Sequence, residues 1–456
     1  MHKKIPLFSL VLLIVAAIDS IRNLPAAALF GSSLIFFFLL GAVLFFIPLS
    51  LVAAEFSSRY SEEGGVFHWV RHAFGPKLGM LAVWLQWINT MVWYPTILSF
   101  IAGTAAYLID PKLAEHKGFL VSFILIVFWG LTLLNSFGIQ VSAKINSWCA
   151  MMGTLVPMTL LIGLGAVWMF SGNPLEISFS SDALVPHLSQ TNNWVSLIAI
   201  MASFVGMELA GVHVSDVANP QRNFPKAMGL AALILLATMV FGALSIAVII
   251  PEKNLQLVSG IMQTFTTFFE AFGIPQLVPV LTILILIGSM GQMINWLISP
   301  AKGLLQAAGH GFLPPFFTAK NKHGVAARIL LVQGALVTLF CLAFLLMPSV
   351  NAFYWFLTAL STELYMLMYV VVFAAALKLG RPPREAQSYR IPKGIRTVAC
   401  VVGLVGCALT LIVGNFPPPG IEVGSAGRYA FLILAGNLVA VAPVFLLWWY
   451  RSVCRK

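Results

Sequence analysis

The sequence predicts an all-α membrane protein of twelve transmembrane helices, ten of them forming a 5+5 inverted repeat and two appended, and three observations predict it. Apolar residues make up 60% of the chain and charged residues only 9%, where a soluble domain carries about 25% charged residues. Twelve stretches are apolar over the roughly 20 residues that a hydrocarbon crossing takes. Two of these stretches are interrupted by polar residues at matching points, five spans apart. Because five is odd, a repeat displaced by it runs in the opposite sense across the membrane.

The spans fall at 7–30, 32–54, 78–108, 119–136, 145–170, 194–215, 226–250, 277–308, 328–347, 351–377, 395–416 and 428–450. Residues 1–170 then hold the first repeat, 171–378 the second, and 379–456 the last two spans with a short tail. Between spans two and three, Glu62-Glu63-Gly64-Gly65 leads into an amphipathic stretch with His68 and His72 four residues apart. That spacing suits a metal on a helix, but no third ligand accompanies it, and a solvated interfacial helix is the simpler expectation. The Gly403-Leu-Val-Gly406 spacing in span eleven is expected to serve close helix packing. The five cysteines sit in predicted spans or at the C-terminal end, with neither a disulfide framework nor a zinc spacing.

A net charge of +11 reflects orientation, not nucleic acid. Of the 26 Lys and Arg, only Lys112, Lys117, Lys253 and Arg428 fall on one side of this topology and Arg22 within span one, leaving the rest on the other. By the positive-inside rule both termini are cytoplasmic. The basic start and following apolar run are not a cleaved signal, since Asp19, Arg22 and Asn23 interrupt that run and the later loops need an uncleaved first span.

The interruptions carry the candidate site. Span one reads Ile18-Asp19-Ser20-Ile21-Arg22-Asn23 and span six Phe204-Val205-Gly206-Met207-Glu208. Unwound backbone at membrane depth is tolerated only where it lines a protein cavity, and paired broken helices point to a transporter's binding site. Ionisable groups there cost about 2.5–3.5 kcal/mol each at a helix centre. Asp19 and Arg22 are three apart, which on a helix allows an ion pair with each other; contact with a zwitterionic ligand is the alternative. Glu208 at the second break would anchor the unwound turn or take up a proton. In span ten, Glu363 accompanies Tyr365 and Tyr369, which share a helix face, in a segment bordering the central cavity. Gln292 and Asn295 share a face of span eight, and Trp296 offers a broad wall. Trp87, Trp93 and Tyr94 in span three are expected to pack or to lie at the interface.

These runs, with Ala53-Ala54-Glu55, Glu62-Glu-Gly-Gly-Val-Phe67, Asn219-Pro220, Ser259-Gly-Ile-Met-Gln-Thr-Phe265, Pro300 and the Tyr365/Tyr369 pair, make the chain resemble the amino acid–polyamine–organocation transporters, and among them the bacterial glutamate:GABA antiporters. The resemblance implies a LeuT-like fold and alternating access. It also implies exchange of amino acids or their decarboxylation products across the inner membrane, with the breaks at Ile18-Asp19-Ser20 and Phe204-Val205-Gly206 cradling the substrate; Arg22, Gln292, Trp296, Tyr365 and Tyr369 are the further candidates around it. Glu208 and Glu363 are the candidates for proton coupling or gating. The chain departs from that pattern by having Asp19 and Ser20 where small residues, often glycine, are usual, and Gln292 where a glutamate is expected. It ends six residues after Tyr450, so no C-terminal plug and no acid-only activation are expected.

An antiporter is thus the expected function, with a proton-coupled uptake permease as the alternative. No His-Glu-x-x-His, Ser/Lys dyad or nucleotide loop points to an enzyme, and paired broken helices favour an occludable site over a channel. No metal or cofactor is called for. The expected partners are amino acids and lipid; self-association is left open.

Overall fold

The computed structural model describes residues 5–60, 65–137, 148–149, 151–187, 189, 191–209, 217–306, 311–345, 347–380 and 389–454. The helices that matter for the site are α1 (Leu7–Ile18), α2 (Leu24–Ala28), α3 (Leu34–Gly41), α4 (Ile47–Arg59), α5 (Val66–Phe74), α6 (Pro76–Ala106), α7 (Lys117–Ser136), α8 (Val156–Phe170) and α9 (Ser196–Phe204). They continue with α10 (Pro220–Ala247), α11 (Gly260–Ala271), α12 (Val278–Gln306), α13 (Ala327–Phe344), α14 (Val350–Leu379), α15 (Lys393–Val413), α16 (Ala426–Val441) and α17 (Pro443–Cys454). Extended pairing among the described residues amounts to an isolated parallel bridge between Ile5 and Val217. A helix satisfies every backbone group within its own segment, which lipid demands.

Seven helical stretches among the described residues are long and apolar enough to cross a membrane, and three shorter apolar helices accompany them. The chain is therefore an all-helical, multi-pass membrane protein. Gly31–Arg59 forms one stretch of 29 residues, since α3 and α4 join through a π-helical turn at Ala42–Phe46.

The 31-residue α6 is long enough to cross but is absent from the apolar seven, because Gln86, Asn89, Thr90, Thr96, Ser99 and Thr104 lower its hydropathy. Nearly every side chain of α6 beyond Gly79 is nevertheless buried. Protein, not lipid, surrounds this helix, as an all-round buried helix requires. Its main partner is α14, also buried along most of its length, and this pair forms the centre of the molecule. At the periphery lie α16 and α17, whose apolar residues Phe431, Leu438, Leu446 and Trp449 are exposed.

Small residues bring helices into contact, as expected where lipid supplies no hydrophobic drive between them. A β-carbon on Gly403 would lie 2.4 Å from the Phe373 ring, and one on Gly406 2.6 Å from the Leu44 carbonyl oxygen. Both glycines of the span-eleven spacing thus serve close packing. A β-carbon on Gly288 would lie 2.0 Å from the Gly153 Cα, so the chain before α8 meets α12 backbone to backbone.

The stretch after Gly65 is the helix α5, with one face packed and His72 exposed on the other. Val66, Phe67, Trp69, Val70 and Ala73 are buried, and the His72 ring stacks on Tyr60 with centroids 4.5 Å apart. Glu62, Glu63 and Gly64 lie outside the described residues, as do residues 210–216, which include the end of the predicted sixth span, and residues 381–388.

Candidate functional site

Helix α1 stops where the sequence turns polar. The Asp19 amide still donates to the Val15 carbonyl at 2.7 Å, but Asp19 and Ser20 are extended, with ψ of 123° and 101°. A short 3₁₀ turn at Ile21–Asn23 follows, and α2 begins with Pro25 in its first turn, a position where the missing N–H costs nothing. The second break falls at Val205, which is extended, and Gly206, with φ +109°, a conformation that glycine adopts freely and L side chains rarely do. The two breaks meet: the Asn23 side-chain amide donates to the Ala202 carbonyl at 3.4 Å.

Between the breaks lies a cavity of about 80 Å³. Ile18, Asp19, Ser20, Arg22 and Asn23 line it from the first break, and Ala202, Val205, Gly206 and Leu209 from the second. Helix α6 adds Asn89, Thr90, Trp93, Thr96 and Ile97, and α14 adds Thr358, Ser361, Thr362 and Tyr365.

Asp19 and Arg22 do not pair. The guanidinium donates through Nη1 to Thr96 Oγ1 at 2.7 Å and lies 5.0 Å over the Trp93 ring, a cation–π contact. Its Nε is buried without a hydrogen-bond partner. Both Asp19 carboxylate oxygens are also buried without a hydrogen bond, with the Thr238 side chain and the Ser20 amide close by. Helical i,i+3 spacing brings side chains together only while the helix continues, and here it unwinds between the two residues.

The α6 and α14 walls have a defined polarity. Thr90, Thr96, Thr358 and Thr362 donate their hydroxyl hydrogens to the carbonyls of Trp87, Trp93, Tyr354 and Thr358. A hydroxyl whose hydrogen is committed to its own helix still has acceptor capacity, so Thr90, Thr358 and Thr362 offer acceptors to a ligand. Ser361 donates to Asn89 Oδ1, tying the two helices together. The Tyr354 hydroxyl donates to the Arg22 carbonyl at 3.2 Å, tying α14 to the first break.

Glu208 does not reach into this cavity. Its Oε2 accepts from the Tyr369 hydroxyl at 2.5 Å and its Oε1 from the Gln86 side-chain amide at 3.2 Å. Tyr369 Oη accepts in turn from the Gly206 amide at 2.9 Å. This chain fixes the second break to α14 and α6, and Tyr365 stacks on Tyr369 with centroids 5.5 Å apart. Tyr369→Phe leaves both the Gly206 N–H and Glu208 short of a partner, which costs about 1–3 kcal/mol. A lowered thermal unfolding temperature in detergent is expected, together with weaker transport; an unchanged midpoint refutes the anchoring role.

Of the residues expected around a ligand, the structure gathers Ile18, Asp19, Ser20, Arg22, Val205, Gly206 and Tyr365 on one cavity. Phe204 is turned away, stacked on Phe46 with centroids 4.4 Å apart. Gln292, Asn295 and Trp296 lie in α12, but their side chains are outside the described ones. Glu363 does not border the cavity. It faces α15 and α16, where its Oε2 accepts from Asn437 Nδ2 at 2.5 Å. The opposite correction applies to Trp93, a cavity wall and not only packing, while Trp87 and Tyr94 are buried among neighbouring side chains. The signal for Trp93 was its place one helical turn from Asn89 and three residues before Thr96.

A bundle of apolar helices enclosing a polar cavity between two unwound turns is the architecture of a membrane transporter. The chain belongs to the amino acid permease family, which it matches over residues 5–437; it is a secondary amino acid transporter and not an enzyme. It is 39% identical over 453 residues to an uncharacterized transporter of Legionella pneumophila, covering 99% of this chain and 97% of that one. It is 31% identical over 457 residues to the glutamate/gamma-aminobutyrate antiporter of Lactococcus lactis, covering 98% and 90%. A probable agmatine/putrescine antiporter from the same species is 23% identical over 424 residues, covering 91% and 88%.

Proposed function

We propose that the protein is an amino acid antiporter of the bacterial inner membrane, with both termini in the cytoplasm. The observation that carries the substrate assignment is the presence of two buried, mutually unpaired opposite charges, Asp19 and Arg22, on one small cavity. A zwitterion satisfies both: its carboxylate takes the guanidinium's free N–H, and its ammonium takes the Asp19 carboxylate and the threonine acceptors of α6 and α14. A ligand bearing charge of one sign only would leave one partner buried and alone, which is expensive.

Exchange is favoured by the similarity to the antiporters of Lactococcus lactis. Twelve spans in a LeuT-like arrangement, with residues 1–170 and 171–378 as inverted repeats and 379–456 as an appendage, would place the two breaks at equivalent points. Their contact through Asn23 and Ala202 is consistent with that symmetry. Gln292, Trp296 and Tyr365 complete the proposed site; Tyr369 does not line the cavity but supports it from behind through Gly206 and Glu208, and Glu208 is the candidate for coupling to protons or for gating.

Counterflow tests the assignment. In proteoliposomes screened with a panel of labelled amino acids, uptake of the transported one is expected to rise several-fold when unlabelled substrate is loaded inside. Equal uptake into empty and loaded vesicles, driven only by a proton gradient, would replace the antiporter with a proton-coupled permease.

A further inference from the structure

We propose that Glu363 and Asn437 form a proton-binding site between α14, α15 and α16, separate from the substrate cavity, with the proton on Glu363 Oε1 and donated to Asn437 Oδ1. Hydrogen-bond accounting at this contact leads there. Asn437 Nδ2 donates to Glu363 Oε2, while Glu363 Oε1 and Asn437 Oδ1, both acceptors when the carboxyl is ionised, are buried with no partner. A carboxylic acid and a primary amide form a cyclic pair in which the amide N–H meets the acid carbonyl and the acid O–H meets the amide carbonyl. One proton thus satisfies both orphaned oxygens, whereas an ionised carboxyl leaves both unmet, and such groups are costly in a low-dielectric interior.

The surroundings provide a fitted cradle and no counter-charge. A β-carbon on Gly414 would lie 2.1 Å from Glu363 Oε1, and one on Gly436 would lie 3.0 Å from Leu360, so glycines of the adjoining chain segments make room for the carboxyl and the approach of α16. Glu363 itself is 2% exposed.

No cation comes near among the described residues. From α16 the titratable group facing Glu363 is Tyr429, a buried phenol; Arg428 is nine residues from Asn437, about 14 Å along the helix, and exposed. The cation of α15, Arg396, is 18 residues before Gly414, about 27 Å away along a helix, and is paired with Glu55. On α14, Lys378 lies 15 residues on, about 22 Å away, over the Phe74 ring of α5. Between Ser196 and Phe204, α9 has no ionisable residue, and the acid facing α14 from the second break, Glu208, is engaged by Tyr369 and Gln86. The cavity-lining residues Thr358, Ser361, Thr362 and Tyr365 occupy the other face of α14. Proton binding at Glu363 therefore does not compete with substrate for the same space.

Infrared spectra of the purified protein in lipid vesicles at neutral pH test this directly. The wild type is expected to show a protonated-carboxyl C=O band that disappears in Glu363→Gln and moves in Asn437→Leu toward the position of an acid carbonyl free of hydrogen bonds. Glu363→Gln is expected to keep its thermal stability, because the new amide reproduces both hydrogen bonds. A spectrum unchanged by Glu363→Gln overturns the proposal. So does a Glu363→Gln protein that fails to fold, since a neutral isostere should suffice, or a band that stays in place in Asn437→Leu.

Discussion

Glu55→Ala is expected to destabilise the folded protein by about 3–5 kcal/mol, the range for stripping one partner from a buried ion pair. The Glu55 and Arg396 side chains are 2% and 6% exposed, and the guanidinium Nη1 lies 3.2 Å from Glu55 Oε1. The other carboxylate oxygen accepts from the Ile391 amide at 3.0 Å. Truncation therefore strands a buried cation and removes the Ile391 amide's carboxylate acceptor. The loss is also topological, because the same end of α4 holds both sides of the connection between α14 and α15. The Tyr389 amide donates to Ser58 Oγ at 3.1 Å, and Arg59 Nη1 to the Gly380 carbonyl at 3.1 Å. The check is a double-mutant cycle on thermal or denaturant unfolding in detergent. Glu55→Ala alone should be severe, and adding Arg396→Met should recover much of the loss, since an apolar pair tolerates burial better than a lone charge. Additive effects would show that the two residues do not act as a pair.

The helices were legible in the sequence because hydropathy reports length and interruption directly. The predicted spans at 351–377, 119–136 and 395–416 match Val350–Leu379, Lys117–Ser136 and Lys393–Val413 closely. Both breaks were equally plain, since Asp19-Ser20 and Gly206 interrupt otherwise apolar runs. Side-chain direction was less so. In α14, Thr358, Ser361, Thr362 and Tyr365 share the face that meets the cavity, but Glu363 sets an ionisable group on the opposite, equally buried face, so polarity alone does not say which of the two meets the ligand. In α6, Asn89 and Thr96 mark the face that Trp93 shares, but an indole suits packing and a cavity wall equally, and it is Arg22 over its ring that assigns it. The Asp19–Arg22 pair failed for a different reason, since the i,i+3 rule presumes the helix that these residues themselves interrupt. Glu55 and Arg396 are 341 positions apart, and no local pattern in a single sequence joins them.

Arg22→Ala is expected to weaken substrate binding by about 2–5 kcal/mol, the cost of truncating one partner of a buried, hydrogen-bonded charge pair, or roughly 30-fold to several thousand-fold in affinity. The guanidinium is held in place without help from a carboxylate, by Thr96 and by the face of Trp93, so its charge remains available to a ligand. Asp19→Asn should act in parallel at the other end of the zwitterion. Had the two formed a structural ion pair, removing Asp19's charge would strand Arg22 and lower stability, with little effect on affinity in the protein that survives. Their separation reverses that expectation. Asp19→Asn removes a buried charge that has no hydrogen-bond partner, so the ligand-free protein should unfold at the same temperature as wild type or higher, while substrate no longer raises that temperature. Thermal unfolding of each variant with and without the transported amino acid reads both quantities in one experiment. Ligand stabilisation that persists in Asp19→Asn and Arg22→Ala would remove these residues from the site and leave the substrate to the backbone of the two breaks.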